Sequence, residues 1–395
     1  MTELFSLSYP LAWPLALTLA WMAGELLYRW LSLPRIAVYA LAGFLFGNIA
    51  AGYLPPSESD TFMLIANLGF GLMLFELGYR INLGWLRANP WIVATSLAEA
   101  SATFAAVYAV ATFCGTPKLA AGLLAALAMS TSPAGLLRVV NEQASAGQVT
   151  ERALHLAAFN CVLAVFVFNV IVGIGVFQTS GDVAHAAWSS LVVLAASSVL
   201  GALFGMLVPL WLRHIENAAR DATLAFAIAV FLLVAVTHVL KFSPVLAALT
   251  FGIVARHRRI ALSPAQRNFG VLGDLLSVLL FFFVATTLSW GHVAGGLLLG
   301  LLLVLVRATV KVGVCTAFAR ASGISARKGA LSGLALTPMA VFAVLLLEQT
   351  RRLGVDLFHS LAPLAAIALL LEVAGPLVVQ RAVVLALETR NAREN

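Results

Sequence analysis

The chain has 395 residues, 62% of them hydrophobic and only 10% charged, with a mean hydropathy of +0.99. A soluble domain carries about 25% charged residues, so most of this chain must face lipid or protein rather than water. Its formal charge of +7 then belongs to basic loops at a membrane surface, and no nucleic-acid partner is expected.

Apolar stretches of roughly 20 residues, each able to cross a hydrocarbon core of about 30 Å, recur along the whole chain. They are continuous rather than alternating, which predicts helices rather than a barrel. In chain order the expected spans are 9–29, 34–54, 60–80, 90–113, 118–141, 152–178, 184–212, 221–240, 243–257, 268–289, 291–320, 326–350 and 357–386, thirteen in all. The first span lacks a basic leader and a small-residue cleavage site, so it is expected to be retained. Basic residues divide 18 to 4 between alternate loops, which predicts N-out, C-in topology. No loop exceeds roughly a dozen residues, leaving no room for a soluble regulatory, nucleotide-binding or catalytic domain. Cys114, Cys161 and Cys315 are scattered in or beside apolar spans and read as neither a disulfide framework nor a zinc site.

Two spans carry interruptions. The fifth contains Ser130-Thr131-Ser132-Pro133 and the twelfth Leu336-Thr337-Pro338. Proline removes a backbone donor and clashes with the preceding turn, so each helix is expected to break there. The two breaks lie seven spans apart. That fits two inverted six-span repeats, about 9–178 and 221–386, joined by a linking helix at about 184–212. Matching broken helices in inverted repeats point to an ion or substrate site near the bilayer midplane.

Ionisable residues inside a membrane are candidates for function. Glu99 lies mid-span in the fourth stretch. Arg307 and Lys311 share one face of the eleventh, and Glu372 precedes Gly375-Pro376 in the thirteenth. The fourth and eleventh spans are equivalents in the two repeats, so Glu99 is expected to pair with Lys311 or Arg307 beside the breaks. Either a static ion pair or an exchanging group fits that placement. Glu372 reads as support for a bend. Glu25, Glu76 and Asp274 fall near span ends, and His155 and His238 lack ligand partners at helical spacing. No metal set, nucleophile–base pair or glycine-rich phosphate loop appears, so neither an enzyme nor a cofactor is expected.

The ordered set Phe75-Glu76-Leu77-Gly78, Ser130-Thr131-Ser132-Pro133, Arg138-Val139-Val140-Asn141-Glu142, Asn160-Cys161, Lys311, Thr337-Pro338 and Glu372-Val373-Ala374-Gly375-Pro376 resembles the cation/proton antiporter superfamily, which includes the sodium/proton exchangers and potassium-efflux antiporters. The resemblance covers nearly the whole chain. It implies a thirteen-helix transporter, a homodimer in the lipid bilayer of a bacterial inner membrane, and a mobile core that moves like an elevator. It also implies exchange of a monovalent cation, Na⁺ or K⁺, for protons at the crossing of the broken helices. The family pattern places an Asn-Asp or Asp-Asp pair in the sixth span. Here the pair is Asn160-Cys161. A thiol, with a reference pKa of about 8.5, is a soft ligand poorly matched to alkali cations. Three readings follow: Glu99 serves as the exchangeable carboxylate, with Asn160, Thr131 and backbone carbonyls as further oxygen ligands; transport runs without protons; or the protein no longer transports. An anionic solute drawn to Arg307 and Lys311 at broken-helix N-termini is a fourth.

Overall fold

A computed structural model describes residues 2–49, 60–175, 183–212, 218–258, 269–286, 288–339, 343 and 362–390. In chain order its helices are α1 (Thr2–Leu31), α2 (Arg35–Ile49), α3 (Asp60–Arg80), α4 (Leu83–Ala88), α5 (Trp91–Phe113), α6 (Lys118–Met129), α7 (Pro133–Glu142) and α8 (Gln148–Gly175). Then follow α9 (Val183–Leu212), α10 (Ala218–Val239), α11 (Pro244–His257), α12 (Gly270–Thr286), α13 (Trp290–Ala317), α14 (Ala326–Ala335) and α15 (Ala362–Leu385). No strand occurs among the described residues. Eight of the described stretches are long and apolar enough to cross a membrane, the joined α6–α7 counting as one, and α2, α11 and most of α12 are shorter apolar helices. Residues 50–54 of the second expected span, 340–342 and 344–350 of the twelfth, and 357–361 of the thirteenth lie outside the described residues.

Local chemistry sets the helix ends. Ser132 and Ser243 cap α7 and α11 with their hydroxyls, each followed by proline at the first helical position, where the missing N–H costs nothing. The short α4 was not anticipated from hydropathy. Asn82 starts it by accepting from the Gly84 and Trp85 amides at 3.0 and 3.2 Å. By contrast, α15 remains helical through Pro376.

The helices form two groups. In the first, α2 packs on α12, α3 on α11 and α12, and α9 on α11. In lipid there is little hydrophobic gain from helix association, so close packing through small residues must supply it. A Cβ at Gly43 of α2 would overlap the Phe282 carbonyl of α12, and one at Gly78 of α3 would overlap the Leu249 carbonyl of α11. In the second group α5, α6, α8, α13, α14 and α15 pack around one another. The groups meet where α7 lies against α3, α15 against α2, and α8 against α9.

The last described residues close back on the core. Glu388, buried after α15, accepts from the Val149 and Thr150 amides and the Thr150 hydroxyl, each at 2.8 Å. A carboxylate there meets the positive end of α8. Gly147 makes room for it, since a Cβ would overlap the Glu388 side chain.

Candidate ion site

The break in the fifth span is sharp. α6 stops at Met129, residues 130–132 are non-helical, and α7 starts at Pro133. α14 likewise stops at Ala335, with residues 337–339 non-helical. The two interruptions face each other. The Ser132 amide donates to the Pro338 carbonyl at 2.7 Å, and the Thr131 hydroxyl donates to the Leu336 carbonyl at 3.2 Å. Gly135 of α7 and Gly375 of α15 flank Pro338, where added Cβ atoms would come within 2.9 and 3.1 Å of it. Glycine at both positions lets the backbones approach.

Broken helices leave carbonyls without partners. Arg307 of α13 gathers four of them. It donates to the Ala128 and Ser130 carbonyls on the first interruption at 2.9 and 2.7 Å. On the second it reaches those of Thr337 and Leu336 at 2.8 and 3.0 Å. Each helix C-terminus carries about half a negative charge, so two of them together offset one guanidinium. Arg307 therefore makes no ion pair with Glu99, contrary to one of the expected pairings; its donors are spent on carbonyls. The same placement argues against an anion site at helix N-termini, because this cation sits at the opposite ends.

One turn along α13, Lys311 forms the ion pair with Glu99 and also donates to the Met129 carbonyl at 3.1 Å. Glu99 of α5 is 0% exposed and Lys311 1%, so neither charge has water to fall back on. The other Glu99 oxygen accepts from the Asn160 amide of α8 at 2.8 Å, and the Thr103 hydroxyl donates to the carboxylate at 3.2 Å. Ser96 donates to the Asn160 carbonyl oxygen at 3.0 Å, which fixes the orientation of the amide. Asn160 also reaches the Thr131 hydroxyl at 3.5 Å. Cys161 is fully buried, and its thiol donates to the Thr131 carbonyl at 3.1 Å.

The sequence-derived candidates Glu99, Asn160, Thr131 and Lys311 thus converge, with Arg307 and Cys161 in the same layer. Glu372 is buried on α15, and Asp274, Glu76 and Glu25 bond to arginines away from this site. His155 is held by the Asn82 amide and the Glu151 carbonyl in a structural role. Sequence reasoning did not assign Ser96 and Thr103, although they fall three residues before and four after Glu99, on its helical face. The carbonyls of Ala128, Met129 and Leu336 had no sequence signal, because every residue supplies one.

Chemically, the site is a buried cluster in which a Glu99 oxygen and the Met129 carbonyl hold the Lys311 ammonium, with the Asn160 amide and the Thr131 hydroxyl beside the carboxylate. A monovalent cation entering here would take over the oxygens that now hold Lys311.

Comparison with known proteins identifies the family and the fold. The family model described as "Sodium/hydrogen exchanger, transmembrane" matches residues 15–384. No curated protein matches the chain in sequence. Among solved structures, the sodium proton antiporter MjNhaP1 from Methanocaldococcus jannaschii at pH 8 superposes with a TM-score of 0.69 at 17% identity, covering 94% of each chain. An electron-microscopy structure of the same antiporter gives a TM-score of 0.71 at 18% identity, covering 93% of each. At that identity the likeness is one of fold.

Proposed function

The chain belongs to the sodium/hydrogen exchanger family and is an integral membrane protein, and on that premise we propose that it exchanges a monovalent cation, Na⁺ or K⁺, for protons at the Glu99–Lys311 pair. The observation that carries the reading is the wholly buried Glu99, bonded at once to the Lys311 ammonium and the Asn160 amide.

In the proton-loaded form Glu99 is ionised and Lys311 protonated, so the pair is neutral. In a form open to one side of the membrane, the arriving cation displaces Lys311, which gives its proton to water on that side and withdraws as a neutral amine. The cation then takes the carboxylate, with Asn160, Thr131 and the Met129 carbonyl as further ligands. The charge stays balanced, one cation for one proton, and a dry site strongly disfavours any imbalance. Arg307 takes no part in the exchange and holds the two interruptions together. Cys161 leaves the site one carboxylate short of the family pattern, and Glu99 supplies that carboxylate from α5. The wider reading has thirteen spans, N-out and C-in, in two inverted repeats. It works as a homodimer whose core carries the site across the membrane of a bacterial cell.

The test is purified protein in liposomes with an internal pH dye and an imposed pH gradient, to which Na⁺, K⁺ or Li⁺ is added. Cation-dependent proton movement in the native protein, lost in Glu99→Gln, is the expected result. Silence in the native protein with activity in Cys161→Asp would instead describe an antiporter frame without its proton carrier. Cation flux without proton movement would describe an uncoupled transporter.

A further inference from the structure

α7 has two different ends. Its first residues lie at the ion site. Its last turn carries Arg138, Asn141 and Glu142, and each reaches a different helix of the other group. Arg138 donates to Asp274 at 2.8 Å and to the Gly273 carbonyl, both on α12. Asn141 donates to Glu76 of α3 at 2.9 Å and accepts from Arg80. Glu142 faces Arg35 of α2 at 3.6 Å, and Arg35 is shared with Glu25 of α1 at 2.8 Å.

The three receiving helices are locked to one another in a different way. A Cβ at Gly43 or Gly47 of α2 would run into the α12 backbone, and Gly69 of α3 sits 3.4 Å, measured from an added Cβ, from the Leu276 carbonyl of α12. Such backbone contacts cannot slide without a clash. Between α7 and these helices, long polar side chains are added to the apolar packing of α7 on α3. A cavity of about 700 Å³ runs along that boundary, lined by Trp21, Arg35, Tyr39, Arg138, Glu142 and Ser277 among others. Ion pairs beside a cavity can exchange partners with water, and partly exposed ones contribute little when made and cost little when broken.

We propose that Arg138, Asn141 and Glu142 form a releasable three-point clasp that fixes the site-bearing half-helix α7 to the α2–α3–α12 block, and that the clasp opens each time the core moves. This deepens the exchange proposed above and rests on it. The clasp sets the rate of the conformational step and leaves cation binding at Glu99 unaltered.

The experiment uses the full chain in lipid nanodiscs and liposomes, in a Cys114→Ser background. Ser277→Cys is added as a reporter, because Ser277 lines the cavity and bonds only within its own helix. Labelling of that thiol by a membrane-impermeant reagent reports opening of the boundary, and cation-driven proton flux is measured in parallel. Asp274→Asn and Glu142→Gln should each raise the labelling rate about five-fold, the size of effect set by removing one partly exposed ion pair. The charge swap Arg138→Asp with Asp274→Arg should bring it back toward the parent value. Flux should change in the single variants with the apparent cation affinity unmoved. Labelling that stays at the parent rate in both single variants overturns the clasp, as does a swap that labels as fast as the singles. A native protein without cation-dependent flux would count against the exchange reading alone, since the labelling result stands without transport.

Discussion

The ion site and the clasp are both built from charged side chains on or beside α7, yet they obey opposite rules. Around Glu99 every partner is buried and every bond is closed by protein, so a charge removed there has nothing to replace it. Around Glu142 the side chains border a cavity, Arg35 is shared between two carboxylates, and Asp274 is 73% exposed. Water can stand in at Asp274 and in part at Arg35, while Arg138 and Glu142 are mostly covered. A dry cluster is suited to a strict swap of one cation for one proton, and a wet one to contacts that must break and re-form.

Substitutions should separate the two regions by size. The largest effect is expected from Glu99→Gln. It leaves the Lys311 ammonium buried and unpaired, a loss of about 3–5 kcal/mol when one partner of a buried pair is removed. Thermal denaturation in detergent should show a large drop in Tm. The double variant Glu99→Gln with Lys311→Met should recover most of that stability while staying silent in transport. Recovery of transport in the double variant would refute the exchanging role of the pair.

Next in size is Arg307→Lys. An ammonium has three donors on a narrower head and cannot span four carbonyls on two interruptions. A fall of about 2 kcal/mol in stability is expected, in line with lost hydrogen bonds to a charged group at about 1.5–3 kcal/mol each, partly regained by lysine. If Arg307 instead bound substrate, Tm would hold and only the apparent cation affinity would move.

Cys161→Asp probes the same layer from the other side. It sets a carboxylate against the Thr131 carbonyl where a thiol now donates. Two acceptors face to face call for a cation or a proton between them, so tighter cation binding, visible as a cation-dependent rise in Tm, is expected.

Glu388→Ala should be milder, about 1 kcal/mol, the usual worth of a helix N-cap. Asp274→Asn should be smallest in stability, at under about 1 kcal/mol for a pair whose carboxylate is exposed and whose arginine keeps the Gly273 carbonyl, while still shifting the labelling rate of the clasp. A result in which Asp274→Asn destabilises as much as Glu99→Gln would erase the distinction between the two regions.

The pattern of what could be read in advance follows the same divide. Hydropathy located the helices because lipid demands long apolar stretches, and the two proline-bearing interruptions were visible because proline acts on its own chain locally. Glu99 and Lys311 stood out as charges where charge is costly. The choice of Lys311 over Arg307 as the partner was not readable, because both lie on one face of α13 and only the position of the Ala128 to Ser130 carbonyls separates them. The clasp was invisible for a related reason. Arg138, Asn141 and Glu142 look like an ordinary polar helix end until α2, α3 and α12 are placed around them. Glu388 gave no signal either, since its partners are backbone amides 238 residues away.

That last distance bears on how the protein is made. α8 emerges from the ribosome long before Glu388, so its Val149 and Thr150 amides must be served by water while α9 to α15 are inserted. The Ala146 amide to Glu388 carbonyl and Arg390 amide to Gln143 carbonyl bonds form at the same late moment. The turn between α7 and α8 therefore gains its last bonds only as the closing step of assembly, and a nascent chain halted before residue 388 would lack the bonds that tie the end of α15 to the start of α8.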